Sequence, residues 1–438
     1  MPVLIDEDLR FADAQGPRPA TVMNGWLREL PVSGAPSPKT WRTYAQVLKS
    51  WAEFLAAEGI DPFGDRRQLR SALSLYAEHR LSGPLQTRLS PASWNLAVKA
   101  LSRFYLWAAA EGHVQAVPFS YAQQWITRPD GARVEITRNL ATVRTGNAHA
   151  TRKYLDGPYV ELLLHALAGN DPHGAPDGSF RGRETGRNAA VIGLALASGL
   201  RSQEFSYLTV YEVPLLPARR TAVPVALALA PATTKGGKAR SSWIDYEALA
   251  RVHDYITWDR AAAVENSAWR PGEPLHVEDP TYDGARVNGY RRRWHSLTPA
   301  ERLRLVAPGG GSALLAVQAG GGPFVDWATV LRRTAARIRD RYEAGFPHVH
   351  PHVTRHTFAM ATLERLVRGY YQQAAKLVVD AGGDDALALY LTRADPLLVL
   401  RDLLGHATAA TTQAYLTQGS GIASDERESP GWLIRVAS

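Results

Sequence analysis

SPASWNLAVKALSRFYLWA (residues 90–108) opens with a serine suited to a helix N-cap and a proline suited to the first helical position. Trp94, Val98, Leu101, Tyr105 and Ala108 then recur three or four residues apart, which places them on one face of a helix. The same pattern stands upstream, where Ser37-Pro38 precedes Trp41, Tyr44, Leu48, Trp51 and Leu55. Both stripes read as core rather than as binding faces. Residues 64–80 supply another helical candidate, so the first part of the chain is expected to be a small all-helical domain. Lys39, Arg42, Lys99 and Arg103 fall off the stripes. Cations there could follow a phosphate backbone or simply face water.

Beyond residue 119 the pattern loosens, with Arg128-Pro129-Asp130-Gly131 as turn chemistry, and a linker is expected up to about residue 157. The boundaries read from the sequence are 1–148 for the helical domain with its linker, 149–425 for a larger domain, and 426–438 for a tail. In the larger domain a helix is expected at 158–168, then a polar loop at 169–187. A strongly apolar helix should follow, through Leu200 to Leu208. Residues 222–230 are β-prone, and Thr233-Thr234-Lys235-Gly236-Gly237-Lys238 precedes Ser241-Ser242-Trp243-Ile244 as a hairpin would. Helices are expected from there to the end. Residues 262–322 stand apart as a candidate insertion, with the glycine triplets 309–311 and 320–322 and the run Tyr290-Arg291-Arg292-Arg293-Trp294. Neither triplet is followed by the Lys-Ser/Thr of a phosphate-binding loop, so both read as flexible loops.

Composition narrows the chemistry. The chain has 438 residues, 45% hydrophobic and 21% charged, which is that of a folded protein of two or more domains. Zero cysteines remove disulfides, thiol nucleophiles and thiolate metal sites. A net charge of +8 favours an anionic partner without identifying one. Only seven of the fifty cations are lysine, and arginine suits bidentate phosphate contacts. The opening MPVLIDEDLR is acidic where a secretion signal would be basic, and no apolar run is long enough to span a bilayer. A soluble, cytoplasmic protein without a membrane partner is the expectation.

Four segments carry chemistry: Ala197-Ser198-Gly199-Leu200-Arg201-Ser202-Gln203-Glu204, the Lys235 hairpin, His352-Val353-Thr354-Arg355-His356-Thr357-Phe358, and Leu403-Leu404-Gly405-His406 followed nine positions later by Tyr415. Each alone is ordinary. Together, in this order, they resemble the tyrosine recombinases, the phage integrase family of site-specific DNA recombinases. The resemblance spans residues 201–415, and the helices near 37–110 look like that family's core-binding domain. It implies a fold that is mainly α with a small antiparallel β-sheet or hairpin: an all-helical core-binding DNA clamp followed by an α+β catalytic domain.

The resemblance also implies roles. Arg201 and Arg355 would offer guanidinium forks to the two non-bridging oxygens of a DNA phosphodiester, whose charge grows in the transition state. Glu204, one turn from Arg201, would hold that fork. Tyr415 would attack phosphorus, losing its phenolic proton with help from His352. Lys235 would protonate the departing 5′ oxygen, with Lys238 as its rival, and His406 would hydrogen-bond the phosphate. The product would be a 3′-phosphotyrosyl linkage and a free 5′ hydroxyl, made without metal, ATP or other cofactor. The implied partners are double-stranded DNA recombination sites, a homotetramer on that DNA, and accessory DNA-bending or directionality proteins; bound to DNA, the protein would be nucleoid-associated.

Three other readings compete. Type IB topoisomerases make the same linkage but relax supercoils as monomers. A metal-dependent hydrolase could use His348, His350, His352 and His356, whose alternate positions would share one face of a strand. A non-catalytic DNA-binding protein could keep the fold without the reaction.

Overall fold

The two serine-proline pairs do start helices. A computed structural model describes residues 1–438 apart from 6–9, 11, 14–15, 36, 128–131, 146–153, 235–236, 238, 266, 381–399, 402–403 and 405–438, with side chains in the last helix described to residue 369. The chain divides into two units, Met1–Asn147 and Ala148–Ser438.

In the first unit, two-residue strands β1 (Ala12–Asp13) and β2 (Gly16–Pro17) precede helices α1 (Pro19–Glu29), α2 (Pro38–Ala57), α3 (Arg66–Leu81) and α4 (Pro91–Ala110). Ser90 accepts from the Ser93 amide at 3.2 Å, and Asp65 caps α3 through the amides of Arg67 and Gln68. Ser37 makes no side-chain cap bond. The stripe residues Tyr44, Leu48, Trp51, Leu55, Trp94, Val98, Leu101, Tyr105 and Ala108 are all buried, and Trp41 packs half-buried against them. Each large apolar side chain there contributes about 1.5–3 kcal/mol by leaving water. A polar seam through this core is satisfied: Trp51 donates to the Tyr105 hydroxyl at 2.8 Å, which donates to the Pro62 carbonyl at 3.1 Å. The expected linker is more ordered than its composition indicates. Strands β3 (Tyr121–Thr127) and β4 (Arg133–Asn139) form an antiparallel hairpin, from Tyr121 opposite Asn139 to Thr127 opposite Arg133.

The second unit begins with α5 (Gly157–Leu167), α6 (Thr185–Ser198) and α7 (Ser202–Ser206). The single helix expected through Leu208 is therefore broken. Gly199 takes a left-handed φ of +62° at the end of α6, and the chain turns before α7. Strands β5 (Val225–Leu229) and β6 (Arg240–Ile244) pair antiparallel and bracket the lysine loop. Helix α8 (Tyr246–Tyr255) runs through a π-turn into α9 (Ala261–Val264).

Residues 262–322 do not continue as helices. Strands β7 (Leu275–Glu278), β8 (Gly284–Val287) and β9 (Tyr290–Arg293), helix α10 (Pro299–Arg302) and strand β10 (Leu305–Val306) build a four-stranded sheet ordered β10-β7-β8-β9. Its β10–β7 pair is parallel, so the sheet is mixed rather than antiparallel throughout. Helices α11 (Trp327–Arg341) and α12 (Pro351–Asp380) follow. The unit is mainly helical with small sheets around a core that joins α5, α6, α8 and α11.

Irregular backbone in this region is held by buried guanidinium groups. Arg260 donates to the carbonyls of Ser312 at 2.7 Å and Leu314 at 3.1 Å, and Arg187 to that of Val317 at 3.1 Å. Arg302, 1% exposed, makes a two-pronged pair with Glu212 at 2.6 and 2.9 Å and also donates to the carbonyls of Tyr207 and Trp294. Each glycine triplet begins exposed, at Gly309 and Gly320, and ends packed, at Gly311 and at Gly321 and Gly322. A Cβ on Gly321, whose φ is +78°, would sit 2.3 Å from Ser267 Oγ.

Among the described residues no helix is long and apolar enough to cross a membrane. His348 and His350 precede α12 while His352 and His356 lie one turn apart on it, so the strand that would align four histidines does not form. No group of three His, Asp or Glu side chains among the described residues could hold a metal ion.

Candidate active site

The site starts at the break after α6. Gly199 is required there twice over: its φ is left-handed, and a Cβ would lie 2.2 Å from the ring of Phe358 on α12. The turn it makes sets Arg201 at the N-cap of α7 and Glu204 three residues on, within the same short helix.

Glu204 is fully buried, so its charge must be met by donors on the spot. Four converge. Oε2 accepts from the Arg201 amide at 2.7 Å and from Arg240 Nη2 at 2.6 Å, while Oε1 accepts from Arg201 Nη1 at 3.0 Å and Arg240 Nε at 3.3 Å. The carboxylate thus lies between two guanidinium groups. The Arg201 side chain is 22% exposed, and its Nε and Nη2 have no partner among the described residues.

Arg240 is the residue that sequence reasoning passed over. It opens β6, the strand leaving the Lys235 hairpin, and its side-chain exposure is 10%. Ser242, two residues on, donates to the carbonyl of Ser198 at the end of α6. One face of β6 is therefore fastened to the turn that carries Arg201. The signal was available in the period-2 alternation, which puts Arg240 on the face of buried Ser242 and Ile244. An arginine in a buried row needs a carboxylate or a carbonyl, and here Glu204, 36 positions earlier, accepts from it.

Arg355 sits on the first turns of α12, 1% exposed, and donates through Nη1 to the carbonyl of Gly199 at 2.7 Å and through Nη2 to that of Leu404. Its helix is held in place beside it: Thr357 Oγ1 accepts from the Leu155 amide at 2.9 Å, and Phe358, Ala359 and Leu363 pack with Leu400 and Leu404. His352, on the same helix, is exposed, with its ring edge-on to His356 at 4.9 Å.

The structure thus brings Arg201, Glu204 and Arg355 to one turn, adds Arg240, and places His352 one helical turn before Arg355. Lys235, Lys238, His406 and Tyr415 lie outside the described residues; Thr234 and Gly237 beside the lysines and Leu404 before Gly405-His406 are described. In the first unit Lys39, Arg42 and Lys99 are exposed, whereas Arg103 is half-buried and donates to the Ser33 carbonyl at 2.6 Å.

Residues 23–112 match the family model described as phage integrase, N-terminal SAM-like domain. No curated protein sequence matches the chain. Among solved structures, the XerH site-specific recombinase bound to difH substrate in a pre-cleavage complex is 14% identical with a TM-score of 0.45, covering 94% of this chain and 86% of that one. The Tn1549 transposon integrase in complex with circular intermediate DNA is 14% identical with a TM-score of 0.49, covering 93% and 99%. XerA recombinase is 17% identical with a TM-score of 0.32, covering 93% and 99%. Residues 23–112, which take in most of α1 and all of α2 to α4, are thus similar to the phage integrase N-terminal SAM-like domain.

Proposed function

We propose that the protein is a site-specific DNA recombinase that cleaves and rejoins strands through a 3′-phosphotyrosyl intermediate. The observation that carries this reading is the convergence of Arg201 and Arg355 on the Gly199 turn, with Glu204 buried between Arg201 and Arg240. A phosphodiester gains negative charge as the nucleophile adds, and guanidinium groups fixed beforehand stabilise that charge without reorganising. Arg201 offers Nε and Nη2 to a non-bridging oxygen while Nη1 stays on Glu204. Arg355 positions the turn through Gly199 and the Leu404 segment, and reaches the second oxygen once DNA is bound.

In this reading Tyr415 attacks phosphorus and its phenolic proton passes to His352. The P–O5′ bond breaks as Lys235, or its neighbour Lys238, gives a proton to the departing oxygen, and His406 hydrogen-bonds the phosphate. Reversal by the 5′ hydroxyl of another strand completes exchange with no net hydrolysis. Exchange between two duplexes needs four such sites, so a homotetramer on DNA is part of the proposal. Lys39, Arg42 and Lys99, exposed on α2 and α4, are the proposed backbone contacts of the first unit.

The test starts from duplexes selected for binding out of a random library, rebuilt with a nick beside each candidate cleavage position. Wild-type protein in EDTA should give a covalent adduct on a denaturing gel, mapped by peptide sequencing to Tyr415. Tyr415→Phe should bind the same duplex and give none. An adduct on another residue, or none on a duplex that is bound, would overturn the mechanism.

A further inference from the structure

We infer that the edge strand β9 is a second duplex-DNA contact, separate from the candidate active site and from the helices of the first unit. The inference rests on the recombinase reading and extends it to residues 262–322. Strand β9 is the outer strand of its sheet, and Tyr290, Arg291, Arg292 and Arg293 are all exposed, Tyr290 at 70%. The register places Arg291 opposite Arg286 and Arg293 opposite Gly284, so these three arginines share one face.

The charges around them are unevenly answered. Arg286 lies 3.8 Å from Asp279. Arg292 points to the other face, over the Tyr290 ring, and with Arg304 helps hold the Glu301 carboxyl below its usual range, where the Thr298 hydrogen bonds are the main cause. The side chains of Arg291 and Arg293 have no ion pair or hydrogen bond among the described residues. Side chains two residues apart on a strand project about 6.6 Å apart, which lets each fork take a different phosphate. The free edge of β9 adds outward amide groups, which also serve as phosphate donors.

Rigidity makes this more than a charged loop. Trp294, directly after Arg293, is buried, donates to the Thr281 carbonyl at 2.9 Å and stacks on Tyr211 at 5.6 Å. Arg302 binds Glu212 and the carbonyls of Tyr207 and Trp294. The sheet is thereby fixed to the segment that follows Arg201 and Glu204 by only a few residues. The basic strand is thus held in a fixed position relative to that segment.

Edge arginines also deter strand-to-strand aggregation, and that role alone would give a different result. The test uses the full chain and a 30-base-pair duplex of arbitrary sequence, with affinity measured across a salt series. Arg291→Ala with Arg293→Ala should lower the slope of log affinity against log salt by about 2, one unit per lost phosphate contact. Arg291→Lys with Arg293→Lys should keep the wild-type slope, and both variants should melt with the wild type. An unchanged slope in the alanine variant, with or without aggregation by light scattering, overturns the inference while the recombinase reading stands. A wild-type chain that binds no duplex overturns both. A larger loss on single-stranded DNA or RNA than on duplex also overturns it.

Discussion

The helical first unit and the loop-rich stretch of the second, residues 207–322, bury their backbones by opposite means. Helices α1 to α4 satisfy their own amides and carbonyls, so Trp26, Trp51, Trp94 and Phe104 are free to fill space between them. Residues 312–317 lie mostly outside any ladder, and carbonyls there are met by Arg187 and Arg260 reaching in from α6 and the π-turn after α8. Regular structure needs only apolar partners. Irregular structure at the same depth must import donors, and here the donors are guanidinium groups that burial makes easier to deprotonate than usual.

That contrast breaks most readily at Arg302. Removing it by Arg302→Ala leaves Glu212 charged and buried, and the second unit should lose about 3–5 kcal/mol in urea denaturation. Replacing both partners, Arg302→Met with Glu212→Leu, should recover most of that loss, because no orphan charge remains. A single variant as stable as wild type would show that the pair does not hold the sheet.

Alkali should sharpen the comparison next. The Tyr255 hydroxyl accepts from the Val317 amide at 3.2 Å, and burial pushes its pKa from 10 up to about 12. The unfolded chain releases this proton near pH 10 and the folded chain near 12. The stability it contributes is therefore complete below pH 10 and is lost by pH 12, a span worth about 3 kcal/mol. Tyr255→Phe should flatten the alkaline limb of the second unit. Burial raises Tyr105 in the first unit as well, so Tyr105→Phe should act there in the same direction. Unchanged limbs in both variants would contradict the assignment.

The smallest effect separates two serines that look alike. Ser90→Ala should cost about 1 kcal/mol in thermal denaturation, since a cap bond is lost. Ser37→Ala should be neutral to within a few tenths, because Ser37 makes none.

What could be read in advance follows the same division. The apolar stripes of α2 and α4 repeat often enough to declare a face, and the bracketing of Lys235 by two strands followed from its turn residues. Glu204 was legible as the partner of Arg201 because the two are one helical turn apart. The hairpin of β3 and β4 was hidden because Tyr121 and Trp125 are exposed on it, so no polar alternation marks its faces. The strands of the four-stranded sheet, at four residues or fewer, are shorter than any window that detects a period. Arg240 was missed since its partner lies 36 positions away, and the break after α6 because Leu196 and Leu200 continue the apolar run across it.

The Gly199 carbonyl has a consequence for how such a chain can change. Three distant stretches, 198–204, 355–358 and the backbone at Leu404, are aligned on it or next to it. Adding one residue inside any of them would shift a donor off its acceptor. The four-stranded sheet lies in the interval between two of them and supplies no partner to that carbonyl. Changes of length are thus expected in the intervals, where a surface such as β9 can vary while the alignment around one oxygen atom is kept.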